Sequence, residues 1–327
     1  MDYIDVVEKV NKLLCDYPKW EERYDGYVES INEKRKIYKD KKFRIIYPLS
    51  LYTSVSEINN NNYLKYDIRF CGQSIAIVNV KDDVRILTKG KDKANKNYFN
   101  VDIQLNNEIW RDKKAYRFRA AFTEELHNKV KVKSQEHKDE NFLLEEFAKK
   151  GSADKTLCNI QPITLCGAFF QMPTSIAASK LPIENKAAGG GNIDILARIR
   201  HKKGKTSRIC VMELKDKNIS GEPPEKAMGQ AVAYATFIAR LLRSKSGNEW
   251  YNIFGFKGNV PKKIVISVAV VMPYNEVRNE NFETIEEIKV SENTYLKLYS
   301  LYFKEDENGL RSFVGSLKDD MLIHNKN

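Results

Sequence analysis

The chain has 327 residues, of which 42% are hydrophobic, so it can bury one large core or two modest ones, and this composition excludes disorder along the whole length. Lys and Arg number 55 against 44 Asp and Glu, and the formal net charge of +11 favours a partner that carries phosphate. Five widely spaced cysteines without a C-x-x-C pair, and only four histidines, argue against a zinc site and against histidine-based hydrolysis.

The amino-terminal segment does not look like a targeting signal. Charged residues occur throughout residues 1–20, whereas a signal peptide needs an uninterrupted apolar stretch. No later segment approaches the roughly 20 apolar residues of a membrane span. We therefore expect a cytoplasmic protein with reduced thiols and no membrane contact.

Residues 1–130 predict an α+β domain. Apolar positions at helical spacing predict a helix from Tyr3, and Pro18 separates it from a second helix that ends near Tyr38. Residues 63–87 alternate or run apolar and predict an antiparallel meander, with turns at 71–73 and 81–83.

The rest of this domain is predicted from weaker patterns. The lysine-rich stretch 89–97 is expected to be an exposed loop, and the segments 99–105 and 115–122 are expected to form a further pair of strands. The domain carries no catalytic signature and is a candidate for substrate recognition.

Residues 131–327 predict a second domain, an α/β or α+β core with a central mixed sheet flanked by helices. A helix is predicted over 139–150 and closed by Gly151, and a second helix over 224–244. The strand candidates in this domain are 159–166, 167–172, 192–199, 207–214, 262–273, and a terminal hairpin formed by 294–303 with 311–317.

Basic clusters recur along the chain and favour a folded basic face over a basic tail. Each cluster could equally be ordinary solvated surface. The clusters are 39–44, 89–96, 111–119, 129–133 and 200–205.

A set of charged residues in two neighbouring strands suggests chemistry. Glu213 and Lys215 are two residues apart in a strand pattern and therefore share a face. If the turn is centred near Gly204, antiparallel pairing places Asp194 within one residue of both. Two carboxylates at one point suit Mg²⁺ or Mn²⁺, and a lysine beside them can neutralise charge on a phosphoryl group.

These residues resemble the D…(D/E)-x-K core of the PD-(D/E)XK nuclease superfamily, in which Asp194 precedes Glu213, Leu214 and Lys215. The chain departs from the nominal motif because Ile193, not proline, precedes the aspartate. The resemblance covers roughly residues 138–275.

Two further features extend this resemblance. Gln230 and Tyr234 are similar to the Q-x-x-x-Y motif of RecB-type members, on the helix after the catalytic strand. An upstream helix carries candidate glutamates at 140, 145 and 146. We favour Glu140, because it shares helical spacing with the apolar positions 143, 144 and 147.

The resemblance implies a restriction-endonuclease-like fold and a metal-dependent deoxyribonuclease in restriction, defence or repair. Asp194 and Glu213 would hold Mg²⁺ or Mn²⁺ together with the Leu214 carbonyl, and Lys215 would position the attacking water. Glu140 would hold a second metal or order the first, and Gln230 would support the lysine or a phosphate. Nucleic-acid contacts are expected from Tyr234, Lys202, Lys203 and Lys205.

Alternatives remain open at each of these positions. Asp194 could cap a turn after Gly191, Glu213 and Lys215 could form an ion pair only, and Gln230 and Tyr234 could be packing residues. The rival function is a catalytically inactive nucleic-acid-binding protein that keeps the fold. A second copy of this chain is a further candidate partner. The glycines from 189 to 191 are expected to allow a tight approach beside the metal site or a nucleic-acid backbone.

Overall fold

The computed structural model describes residues 2–40, 43–55, 63–129, 135–148, 159–178, 184–185, 190–201, 206–215, 223–274, 287–305 and 311–322. Its helices are α1 (Tyr3–Asp16), α2 (Lys19–Asp40), α3 (Asp92–Phe99), α4 (Lys113–Ala120), α5 (Glu124–Lys129), α6 (Gln135–Ala148), α7 (Pro224–Arg243), α8 (Gly247–Ile253) and α9 (Ser316–Leu322). Its first strands are β1 (Leu49–Ser54), β2 (Leu64–Phe70), β3 (Gln73–Val80), β4 (Val84–Leu87), β5 (Glu108–Ile109), β6 (Ile160–Pro162), β7 (Thr164–Leu165) and β8 (Ala168–Gln171). The others are β9 (Ile176–Ala177), β10 (Glu184–Asn185), β11 (Ile195–His201), β12 (Thr206–Leu214), β13 (Ile264–Pro273), β14 (Ile288–Ser291), β15 (Thr294–Glu305) and β16 (Arg311–Val314).

The chain forms two compact units, each assembled from separate segments. The first unit combines Met1–Asp25, Glu146–Ile163 and Met172–Asn327, and the second combines Gly26–Glu145 and Thr164–Gln171. The domain boundary expected after residue 130 stays a prediction. Within the described ranges the architecture is α+β, with two mixed sheets and helices.

The first unit is built on a mixed sheet with the strand order β14-β15-β13-β12-β11-β6, and β16 pairs with β15. Strand β11 is antiparallel to both of its neighbours, whereas β12, β13 and β15 run parallel to one another. Strand β13 lies in the middle of the sheet and is buried over almost its whole length. Its continuous apolar sequence is the pattern expected of a strand covered on both faces.

Helix α7 connects β12 to the parallel strand β13 and packs against both strands and against α1. Pro224 stands in its first turn, where a missing N–H costs no helical hydrogen bond. Between Ala227 and Leu242 only Arg240 escapes full burial. The helix is therefore the central packing element of this unit.

The second unit is built on a sheet with the strand order β5-β4-β3-β2-β1-β8-β7, in which only the β1–β8 pair is parallel. One core cluster joins β2, β3 and α4 through apolar residues such as Ile68, Phe70, Val78 and Phe118, all almost fully buried. The turn between β2 and β3 places Cys71 and Gly72 at φ 49° and 74°. These left-handed angles are typical of a two-residue hairpin.

Three sequence expectations in the second unit are wrong. Within the stretch 89–97, expected to be loop, residues 92–97 belong to α3, whose Phe99 packs against Phe70 and Phe122. Residues 99–105 form no strand, and of the expected strand 115–122, residues 115–120 belong to helix α4. In α4, Ala115 and Phe118 face the core at helical spacing, so a three-residue period was mistaken for alternation.

Most other predicted elements are confirmed. They include the two amino-terminal helices separated at Pro18, the β2–β4 meander, the helices α6 and α7, and the antiparallel pair β15–β16. The expected helix end at Gly151 lies outside the described residues. Within the described part of the chain, none of the helices is long and apolar enough to span a membrane.

Candidate functional site

The candidate site lies where β11 begins and β12 ends. These two strands pair antiparallel, as predicted, and Ile195 is opposite Met212. Continuing this register by one residue places Asp194 opposite Glu213. The tip of the hairpin, residues 202–205, lies outside the described residues, and so do the predicted phosphate contacts Lys202, Lys203 and Lys205.

Asp194 is tied to the end of β12 by its side chain. Leu214 donates its backbone N–H to Asp194 Oδ2 at 2.9 Å. The N–H and C=O of one strand residue point to the same neighbour, so the Leu214 carbonyl points to the Asp194 side as well. Burial raises the pKa of Asp194, and the Leu214 hydrogen bond and the charge of Lys215 oppose that rise. Asp194 nevertheless remains half-buried and in contact with solvent.

Glu213 and Lys215 form a buried ion pair, with Lys215 Nζ donating to Glu213 Oε1 at 2.9 Å. The two side chains are only 6% and 10% exposed, respectively. Removing two charges from water costs more than one ion pair usually returns. One lysine here also faces two carboxylates, because its charge acts on Asp194 too. Taken by themselves, Asp194, Glu213 and Lys215 carry a net negative charge when both carboxylates are ionised, which is unfavourable for folding alone and favourable for binding a cation.

Helix α7 brings the predicted glutamine and tyrosine to this unit's core. Gln230 is 3% exposed, and within the described residues its Oε1 has no hydrogen-bond partner. Tyr234 lies one turn further along the same face of the helix. Burial, followed by the charge of Glu213, raises the pKa of Tyr234, and Asp194 adds to this effect. Tyr234 is therefore close to both carboxylates.

The glycines before Asp194 make the tight approach that was expected, but the partner is the protein itself. Gly190 and Gly191 exchange backbone hydrogen bonds with Thr174 and Ile176. A Cβ on Gly191 would lie 2.7 Å from Cζ of Tyr234 and closer still to its hydroxyl oxygen. A Cβ on Gly190 would lie 2.6 Å from the carbonyl carbon of Ile176. Because glycine has no side chain, residues 190–191 can pass between the segment 174–176 and the Tyr234 ring just before β11 begins.

The residues present fit a hard divalent cation. Two carboxylates, one of them half-exposed, and a backbone carbonyl make an all-oxygen donor set, which Mg²⁺ and Mn²⁺ prefer. Across the described ranges no cluster of three or more His, Cys, Asp or Glu side chains could hold a metal ion. A cation at this site would therefore draw on Asp194, Glu213, the Leu214 carbonyl and water.

Glu140 belongs to the second unit, whereas Asp194, Glu213, Lys215, Gln230 and Tyr234 belong to the first. As predicted from its spacing, Glu140 is buried on the same face of α6 as Leu143 and Leu144. Burial, followed by the charge of Glu140, raises the pKa of Tyr52. Its role at the metal site stays a prediction.

Sequence reasoning missed a polar cleft in the second unit, close to Glu140's neighbour Tyr52. The cleft has a volume of about 240 Å³, and Tyr52, Asp67, Arg69 and Gln171 line it. The Arg69 guanidinium lies 4.1 Å from the centre of the Tyr52 ring and donates to Asp67 at 2.9 Å and to Gln171 at 2.8 Å. The charged residues at alternate positions of β2 were the available signal, since alternation places them on one face.

Comparisons with protein-family models, with curated proteins and with solved structures found no match.

Proposed function

We propose that this chain is a divalent-metal-dependent nuclease that hydrolyses phosphodiester bonds in DNA, with a PD-(D/E)XK type of active site. The observation that carries the proposal is the cluster of Asp194, Glu213 and Lys215. A half-exposed carboxylate stands opposite a buried one, and the charge of the buried Lys215 acts on both. Such a cluster adds little to folding stability, so chemistry is the better explanation for it.

The topology of the first unit supports the same proposal. Asp194 directly precedes β11, Glu213 lies at the end of β12, and Lys215 follows that strand. Gln230 and Tyr234 lie on the helix that crosses to the parallel strand β13. A mixed sheet with the motif residues in this order is what the resemblance implies. This agreement favours a restriction-endonuclease-like core over an unrelated sheet with a chance E-x-K pair.

In this proposal the carboxylates of Asp194 and Glu213 and the Leu214 carbonyl hold the cation. A bound Mg²⁺ or Mn²⁺ would supply Lewis acidity and would favour deprotonation of the attacking water. Lys215 donates to Glu213, and its ammonium group can stabilise the negative charge that grows on the phosphoryl oxygens. Gln230, whose Oε1 has no described partner, can accept a hydrogen bond from Lys215 or from water.

Metal binding is the first test, by calorimetry with Mn²⁺ near pH 7. Asp194→Asn and Glu213→Gln keep the side-chain shapes and remove one negative charge each, so we expect each variant to weaken Mn²⁺ affinity at least about tenfold. Asp102→Asn is the matched control, since it makes the same change at a carboxylate in an exposed ion pair of the same 2.9 Å length. Unchanged Mn²⁺ affinity in both carboxylate variants would contradict the metal site.

A cleavage assay distinguishes a nuclease from a catalytically inactive nucleic-acid-binding protein. In single-turnover assays over single-stranded, duplex and branched DNA and over RNA, Lys215→Ala should retain Mn²⁺ binding and cut at least about a hundredfold more slowly, because the loss falls on the transition state. If Lys215→Ala cuts as fast as the parent, the pair of Glu213 and Lys215 is structural. If the parent binds nucleic acid but cuts none with either metal, the chain is a catalytically inactive nucleic-acid-binding protein.

A further inference from the structure

An open groove of about 900 Å³ lies on the second unit, apart from the polar cleft around Tyr52. It is lined by the segment before β1, by the turn between β3 and β4, by β5 with the residues that follow it, and by α4. Four of the lining side chains are cations, namely Arg44, Arg111, Lys113 and Arg119. The basic cluster 111–119, which the nuclease proposal leaves unused, thus forms one wall of a groove.

The groove has an excess of positive charge. Its lining carboxylates are Asp82 and Asp83, and Asp83 already has a partner in Arg85, at 3.4 Å. On the wall formed by residues 111–119, the single acid is Asp112, whose carboxylate accepts the Ile109 backbone N–H at 3.1 Å. A polyanion would therefore meet more cations than carboxylates along this surface.

An aromatic ring stands at the open side of the groove. Tyr116 is 64% exposed, although it sits in the middle of α4 among residues that pack against the core. Its exposed face is therefore available, beside the cations of the groove, to a ligand that stacks on it.

The floor of the groove is rigid and positively charged. The Arg119 guanidinium lies over the buried Trp110 ring, 3.8 Å from its centre. It donates to the backbone oxygens of Trp110 at 2.9 Å and of Ala115 at 3.0 Å. Arg119 therefore needs no ordering when a ligand arrives, which lowers the entropic cost of binding.

We propose that this groove binds a single-stranded segment of nucleic acid, with its cations at the phosphates and Tyr116 stacked on an unpaired base. The cations alone would bind any polyanion, but the exposed ring favours a polyanion that carries unpaired bases. Unpaired bases stack on aromatic side chains, whereas the bases of a duplex are stacked on one another and a peptide of Asp and Glu alone carries no ring. The inference deepens the proposed function, on which it rests, because it names the part of the DNA substrate that the second unit holds.

The experiment measures binding by the full chain, in EDTA, by fluorescence anisotropy with a labelled single-stranded oligonucleotide and with its duplex. We expect tighter binding of the single strand. Tyr116→Ala should weaken this binding roughly 5-fold to 150-fold, the loss of one stacked base, and Tyr116→Phe should retain it. Lys113→Gln should weaken binding and reduce the dependence of affinity on salt.

Matched controls are available within the same unit. Tyr98→Ala removes another exposed tyrosine, 47% exposed, from the neighbouring helix α3, and Lys93→Gln removes an exposed lysine from that helix. Both should bind the single strand like the parent. Circular dichroism of each variant separates a lost contact from a lost fold.

Three results would overturn the inference. The first is that Tyr116→Ala binds the single strand as tightly as Tyr98→Ala does, and the second is that a duplex binds as tightly as the single strand. The third is that a poly-glutamate peptide displaces the oligonucleotide as well as unlabelled DNA does. Because binding is measured without metal, it is independent of cleavage. If Tyr116→Ala weakens binding but the parent cuts no DNA with either metal, only the nuclease proposal is contradicted. If the parent cuts DNA but Tyr116→Ala binds as tightly as the parent, only the groove proposal is contradicted.

Discussion

Replacing Gly191 by alanine tests how the residues directly before β11 pack against Tyr234. The added Cβ would lie 2.7 Å from Cζ of Tyr234 and closer still to its hydroxyl oxygen, well inside van der Waals contact. The ring cannot move away freely, because Tyr234 is 2% exposed and its helix is buried on every side nearby.

The expected cost follows from these contacts. Forcing a methyl group into a packed site costs about 1–3 kcal/mol. We therefore expect Gly191→Ala to lower the free energy of unfolding of the first unit by about 1–3 kcal/mol. In a Tyr234→Phe background the closest atom is absent, so the same substitution should cost less.

Urea unfolding followed by tryptophan fluorescence measures this cost. In a Trp110→Phe background the remaining tryptophans, Trp20 and Trp250, both lie in the core of the first unit. Gly26→Ala is the matched control, because an added Cβ there meets nothing within 4 Å and alanine should stabilise α2 by about 0.5–1 kcal/mol. An unfolding free energy for Gly191→Ala equal to that of the parent, or an equal cost in both Tyr234 backgrounds, would refute the predicted clash.

Two other predictions concern buried groups. Burial raises the pKa of Cys71 to about 12, so its thiol stays protonated at pH 8. Iodoacetamide labelling followed by peptide mass spectrometry should therefore find the exposed Cys15 modified in the native protein. Cys71 should become modified only after urea is added. Labelling of both at one rate in the native protein would contradict this. Asn95→Ala should cost about 1–3 kcal/mol in urea unfolding, because the buried Asn95 Nδ2 donates to the Ile75 carbonyl at 2.8 Å. The exposed Asn97→Ala in the same helix should cost nothing, and equal costs would contradict the role of this bond.

The elements that sequence predicted correctly carry a strong local period. The alternation of residues 63–87 and the helical spacing from Tyr3 require no knowledge of distant residues. Short elements were misjudged for the opposite reason. Helix α3 has little pattern of its own, and its Phe99 is buried only because Phe70 and Phe122 lie beside it. The segment 115–122 was misjudged for another reason, because the helical spacing of Ala115 and Phe118 was mistaken for alternation.

The candidate site divides in the same way. The two-residue spacing of Glu213 and Lys215 by itself determined that they share a face, because side chains in a strand alternate. Only the tertiary structure decided that both become buried, that Gly191 lies against Tyr234, and that residues 172–176 pair with 190–193. It also decided that each compact unit draws on separate segments of the chain. The physical reason is the sequence distance over which each property is determined. The repeat of apolar positions in a helix or strand follows from the bonded geometry of a few residues. Burial and close approach depend on segments that are distant in sequence and are selected by the packing of the whole core.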